Sequence, residues 1–314
     1  MSGERVENDA PVQGNPMLRD IWKVRELLFT LVRRDLIVRY QSSVLGFLWS
    51  FAKPLALVGI FQIAFKHILG LTAEVPFSLH LLVGILAWTF LARCIGEGHW
   101  VILAHSNLIK KVKLPVEVFP ATTVIGNLVN YALAMLVVFP VILIIMSHGA
   151  GVSWLQAPVQ VLLFVLVTVL LVALAFALTL LVSAVHVFYR DVESVTEILL
   201  QAWFYATPIV YPMNLLYKKA QDTGLNGFAK LGGADHARLV EILYWLNPMT
   251  PICVAYRRIL LYRPPALEVP DQMVLSSDQM VLFYLGVAVC TTLVLYLISQ
   301  AIFRRCSRHF ADEV

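Results

Sequence analysis

Charge is scarce in this sequence. Of its 314 residues only 14% are Asp, Glu, Lys or Arg, 59% are hydrophobic, and the mean hydropathy is +0.77. Soluble domains carry about 25% charged residues, so a soluble enzyme and a disordered tail are both excluded. Cysteine is scarce too: Cys94, Cys253, Cys290 and Cys306, with no CxxC pair. A disulfide scaffold is excluded, no metal site is expected, and the four read as small buried residues. The phosphate loop GxxxxGK[ST] is missing, since Gly224-Leu225-Asn226-Gly227 lacks the following Lys-Ser/Thr. The chain therefore has no means of holding nucleotide phosphates by that device. HExxH, GxSxG and DxD-type acidic pairs are absent; Asp191 and Glu193, beside Arg190, come nearest. No catalytic residue is assigned. The net charge of +4 is too mild to indicate nucleic acid. Met1–Pro16 has no apolar core, so no cleavable signal is expected, and residues 1–18 read as a mobile arm.

Long runs without any charge are what the chain does have. Crossing the ~30 Å hydrocarbon core takes about 20 mostly apolar residues. Val118–Tyr189 is a run of 72 residues free of Asp, Glu, Lys and Arg, divided by the turn signal His148-Gly149-Ala150-Gly151. Val75–Ala92, Ile198–Tyr217 and Gln279–Phe303 give runs of 18, 20 and 25, and Gly46–Leu69 is apolar apart from Lys53, Lys66 and His67. The expectation is an all-α membrane protein with six transmembrane helices, at about 46–69, 77–100, 119–146, 157–187, 196–213 and 280–303. Ile242–Tyr256 is uncharged over only 15 residues and carries Pro248 and Pro251. It is too short and too broken to span, and suits a re-entrant or interfacial segment, which must be buried by protein or line a water-filled cavity. Ionisable residues deep in the spans are few, so energy for a pump would come from elsewhere.

Basic residues set the orientation. With six spans both termini share one side, and that side collects 14 Lys and Arg, among them Arg33, Arg34, Arg39, Lys110, Lys111, Arg190, Arg304 and Arg305. The opposite short loops, near 70–76 and 147–156, have none. The positive-inside bias places both termini in the cytoplasm. Residues 213–279, with seven basic residues, form a long outer segment to which the rule applies poorly.

Several segments carry more than span information. Residues 19–40 form an amphipathic helix, with Ile21, Val24, Leu27, Leu28, Leu31, Val32 and Leu36 on one face; it suits a lipid-surface anchor or a cuff contacting a partner. Arg93 and Glu97 lie four apart on one helix face and can pair. His105–Pro120 holds a short basic amphipathic stretch, Asn107–Val112, with Pro115 and Pro120 beyond it, suited to a plain loop or to a docking element for a soluble protein. Arg190 and Asp191 close the fourth span as an interfacial ion pair. Thr207–Pro212 and Leu246–Pro251 are proline-broken elements flanking the outer segment, suited to a plug or gate.

In order, the chain carries Arg33-Arg34-Asp35-Leu36-x-x-Arg39-Tyr40; Ser43-x-Leu45-Gly46-x-x-Trp49 with Pro54; Asn107-Leu108-Ile109-Lys110-Lys111 with Pro115, Glu117 and Pro120; Phe188-Tyr189-Arg190-Asp191; Pro208-Ile209-x-Tyr211-Pro212; and Asn247-Pro248. Over residues 20–305 this resembles the membrane subunit of type-2 ABC exporters, in the polysaccharide and polyol-phosphate branch. His186 stands where that family commonly has asparagine. The resemblance implies an ABC-2 type transmembrane domain over 41–314 in a bacterial inner membrane. It implies a homodimer with a channel between the copies, and two copies of a separate ATPase that binds ATP and Mg while this chain holds no cofactor. Ser106, Asn107, Leu108, Ile109, Lys110 and Lys111 would be the coupling helix to the ATPase, and Arg33, Arg34, Asp35 and Arg39 part of the interface helix. Pro208, Tyr211, Pro212, Asn247 and Pro248 would belong to the outer gate. The expected cargo is a lipid-linked polysaccharide of O-antigen or capsule type, with teichoic acid, drugs or small lipids as alternatives and a membrane-embedded transferase as a remote one. A sugar polymer slides on aromatic faces, and Phe47, Trp49, Phe51, Trp88, Phe90, Trp203, Phe204 and Tyr205 are the candidates to line its path. Trp and Tyr also form interface belts, and Trp88 and Phe90 point to different faces.

Overall fold

The computed structural model describes residues 24–41, 48–64, 77–111, 114–147, 157–210, 246–261 and 278–313. Among them every regular element is helical: α1 (Arg25–Gln41), α2 (Trp49–Phe61), α3 (Phe77–Gly98), α4 (Val101–Ala104), α5 (Ser106–Lys111), α6 (Val118–Ser147), α7 (Ala157–Phe188), α8 (Val192–Ala206), α9 (Met249–Leu260), α10 (Asp278–Ser307) and α11 (Phe310–Glu313). The arm over 1–18, Phe47, Val112, Tyr211, Pro212 and most of the outer segment lie outside the described residues.

Among the described residues, four helices are long and apolar enough to cross a membrane: Ser78–Gly98, Val118–Pro140, Gln160–Phe188 and Leu282–Ser307. They correspond to the second, third, fourth and sixth expected spans. At 1.5 Å per residue, the 30 to 32 residues of α6, α7 and α10 run to about 45 Å, well beyond the hydrocarbon core. Among the described residues the expected first and fifth spans are shorter as helices. α2 has 13 residues and α8 has 15, or about 20 Å each. α8 starts four residues earlier than the expected fifth span, because Glu193 is accommodated in its first turn, where a carboxylate is favoured. It ends at Ala206, before Pro208, which lacks the amide that would continue it.

Burial falls steeply from helix to helix: 78% of the most apolar window of α3 is buried, 56% of α6, 28% of α7 and 17% of α10. α3 is thus the centre of the bundle, and α7 and α10 turn apolar side chains such as Leu162, Leu166, Phe283, Val294 and Leu297 outward. In a bilayer that surface is solvated by lipid tails. Two cores hold the chain together. One gathers α3, the distal part of α6, the stretch of α7 from Val167 to Val182, and α9. The other joins Leu28, Leu31 and Val32 of α1 to Ile102, Phe119, Leu180, Ala184, Phe303 and Phe310. The second core defines the basic end of the bundle, because Lys110, Lys111, Arg190, Arg304 and Arg305 all border it.

α8 lies antiparallel along α3. Glu193 in its first turn accepts a bond from Trp100 Nε1 (3.0 Å), just past the end of α3, and Trp203 meets Trp88 halfway along. Beyond its last turn Ile209 packs at Gly84, in the first turns of α3. Phe61 at the end of α2 stacks on Phe204 (6.1 Å).

Candidate functional site

The end of α1 is tied into the bundle by its last polar residues. Arg39 donates to Glu97 Oε2 of α3 (2.8 Å) and to Asn127 Oδ1 of α6 (3.0 Å), while Asn127 Nδ2 donates to the same Glu97 oxygen (2.6 Å). Tyr40 donates to Asn130 Oδ1 (2.6 Å). Of the residues expected on the interface helix, Arg39 alone makes these bonds; Arg33 and Arg34 are exposed and Asp35 is half-buried. The suggested pairing of Arg93 with Glu97 is not the one formed. Arg39 reaches Glu97 from a second helix, and Arg93 instead lines a cleft between α3 and α6.

The segment expected to couple to an ATPase is a six-residue helix, α5, packed on one side. His105 bonds the Val101 carbonyl through Nδ1 (2.9 Å) and stacks on Phe119 (4.7 Å). Its own carbonyl accepts from the Leu108 and Ile109 amides. Leu108 and Ile109 pack onto the basic-end core, and α11 lies against α5. Asn107, Lys110 and Lys111 face outward, and Ser106 is half-buried. The result is a short helix pressed on its apolar side and offering an amide and two ammonium groups on the other. Arg190 and Asp191 lie exposed on the turn between α7 and α8, and no ion pair joins them. His186, fully buried one turn before that point, packs on Trp100 (4.8 Å) and His99 (5.3 Å).

At the opposite end the structure brings Pro208, Asn247 and Pro248 together. Asn247 Nδ2 donates to Thr207 Oγ1 (2.9 Å), and its Oδ1 accepts from Trp203 Nε1 (2.8 Å) and from the Met249 amide (3.0 Å). It closes the start of α9 and fixes it to the break after α8. α9 is almost wholly buried, which meets the condition for a broken segment at membrane depth. Arg257, 4% exposed, donates to the carbonyls of Pro208 (2.6 Å), Ile209 (2.7 Å) and His80 (3.3 Å). The carbonyls of a broken helix end have no helical partner, and Arg257 supplies their donors.

The aromatic candidates divide. Trp88, Trp203, Phe204 and Phe61 make one cluster between α2, α3 and α8, with Trp88 set edge-on to Trp203 (5.5 Å, 89°) and 5.6 Å from Phe204. Phe90 is buried against Tyr131 (5.4 Å). Trp49 and Tyr205 are exposed, and Phe51 lies on α2. A feature unremarked in the sequence is a polar stripe on α8: Ser194, Glu197, Gln201 and Tyr205, all exposed, at intervals of three, four and four. That spacing keeps them on one helix face, and it was legible once α8 was known to begin at Val192.

Comparison with known proteins places these features in a family. Residues 26–222 match the family model "ABC-2 type transporter". The chain is 30% identical over 271 residues to the O-antigen export system permease protein RfbA of Myxococcus xanthus, covering 85% of this chain and 92% of that protein. Two proteins of the same name from Klebsiella pneumoniae are 29% and 28% identical over 198 and 195 residues, each covering 62% of this chain and 72% of the relative. The match contains α1, α5 and α8, the elements built into the two ends described above, and the chain belongs to the ABC-2 type transporter family.

Proposed function

We propose that this chain is the membrane permease subunit of an ATP-driven exporter of lipid-linked O-antigen polysaccharide. The observation that carries the reading is the 30% identity to an O-antigen export permease over 92% of that protein's length. The fold supports it in detail. α2 packs on α3 and ends where Phe61 meets Phe204 beside Trp88, and α8 follows α3 until Ile209 packs at Gly84; with the charge-free runs, six crossings are the topology that fits, with both termini and α5 in the cytoplasm of a bacterial inner membrane. α5, its apolar side packed and its Asn107, Lys110 and Lys111 outward, is the surface for a separate ATPase that binds ATP and Mg. α8 has no buried residue and carries its polar stripe on a bare face, which suits the wall of a hydrated path shared with a second copy. Two permeases and two ATPases then make the working unit. ATP-driven closure of the ATPases pushes α5, and the motion passes through the basic-end core to α1 and α8.

The test is recovery of the ATPase. The tagged chain, solubilised in mild detergent from cells expressing both, brings down stoichiometric ATPase, and Lys110→Glu reduces that recovery several-fold. Purification of the wild-type chain as a solitary protomer without ATPase would overturn the reading.

A further inference from the structure

Between α3 and α6, just inside the Arg39–Glu97–Asn127 cluster, lies a small half-open cleft of about 20 Å³ lined by Thr89, Arg93, Asn127, Asn130 and Tyr131 among others. Its polar groups are mostly donors. Asn130 is 4% exposed; its Oδ1 accepts from Tyr40, and its Nδ2 has no partner. Arg93 has no hydrogen-bond or ion-pair partner among the described residues, although Glu97 is one turn away. Glu97 Oε2 is already taken by Arg39 and the Asn127 amide, and Asn127 also bonds the Thr123 carbonyl. The hydroxyl of Thr89 donates to the Ile85 carbonyl. Around the cleft two guanidinium groups face one carboxylate.

An arginine one helical turn inside the membrane end of its helix sits close to the headgroup level, and is retained where a partner or the interface meets it. A buried amide N–H without an acceptor carries its own desolvation cost. The group that satisfies both is a compact oxyanion. Phosphate at the membrane interface stands at this depth, and guanidinium binds it through charge-assisted bonds. We propose that the cleft between α3 and α6 binds the phosphate of a lipid, with Arg93 and the Asn130 amide as its donors. A cleft this small admits only the leading oxygens, so the lipid tails stay in the bilayer beyond its open side.

Two lipids carry that chemistry, a bilayer phospholipid and the phosphorylated carrier of the polysaccharide; only the second rests on the proposed export function. The purified complex in nanodiscs is probed separately with phosphatidylglycerol, a long-chain polyprenyl diphosphate and diacylglycerol, which has tails but no phosphate. Retention of the phosphate lipids over diacylglycerol is expected. Arg93→Gln weakens it by about tenfold, Arg93→Lys less. Asn130→Asp, which keeps the acceptor for Tyr40 and replaces the donor by a carboxylate, weakens it similarly. A photo-crosslinker at Ala134, on the same wall, gives lipid adducts in the wild-type background. Loss confined to the diphosphate identifies the carrier, and loss confined to phosphatidylglycerol identifies the bilayer lipid; either supports the site. Phosphatidylglycerol binding in a protein that exports nothing would keep the site while removing the transport reading. Equal retention of all three probes, or folded variants that bind both phosphate lipids like wild type, would overturn the proposal.

Discussion

Gly84 leaves the space that Arg257 fills. A Cβ built at Gly84 would stand 2.9 Å from the Arg257 Nη2 and 3.2 Å from the Ile209 side chain, so α3 can approach the break after α8 only because residue 84 lacks a side chain. Overpacking of this kind costs about 1–3 kcal/mol. Gly84→Ala is expected to lower the thermal unfolding midpoint of the detergent-purified protein. Arg257→Met removes the donors of three backbone carbonyls and is expected to lower it further, since each buried carbonyl left unpaired costs about 1–3 kcal/mol. Scanning fluorimetry on both variants checks the order; a midpoint unchanged by Arg257→Met would remove the clamp.

Gly98 makes the second close approach, at the other end of α3. Its added Cβ would lie 2.7 Å from Thr179 Cγ2. Gly98→Ala is therefore destabilising, and Thr179→Ser, which deletes that methyl, restores most of the loss. A double-mutant cycle on unfolding midpoints reads the coupling, and additive effects would contradict the contact.

Arg39 and Glu97 are about one-third exposed, at 30% and 39%. Solvent screening limits such a pair to below about 1 kcal/mol. Asn127, buried and bonded to both, is the more sensitive position. Asn127→Leu is expected to destabilise by roughly 1–3 kcal/mol, more than Arg39→Ala or Glu97→Ala alone. Denaturant titration of the three variants checks the ranking.

Much of this was readable beforehand, because long charge-free runs have one physical solution in a bilayer. The helices of the Val118–Tyr189 run, α3 and α10 follow from apolar length alone, and the proline pairs marked the breaks after α8 and before α9. What the sequence hid depends on contacts between distant segments. Arg93 and Glu97 share a helix face, yet Glu97 is bonded from α1, 58 positions away. Arg257 served only as the charged end of a 15-residue run, and its role needs the carbonyls of Pro208 and Ile209, whose exposure follows from the helix break. Trp88 and Trp203 stood out in the sequence only as aromatic residues of two separate runs, and their T-shaped pairing between α3 and α8 could not be read from it.

The two faces of α5 make opposite demands. Lys110→Glu and Asn107→Pro alter its outer side and backbone, and are expected to lower ATP-driven transport by tenfold or so while membrane insertion and unfolding midpoint change little. Leu108→Asp, on the packed side, is expected to lower the midpoint as well. Transport at the wild-type rate in the first two variants would take this helix out of the coupling path.

The most direct test of the whole reading is movement of a labelled lipid-linked O-antigen across inverted vesicles holding this chain with or without its ATPase. Transport that requires ATP and the ATPase, and that slows when Gln201→Leu interrupts the polar stripe of α8, is the predicted result. Transport by this chain alone, or none in the complete complex, would contradict it.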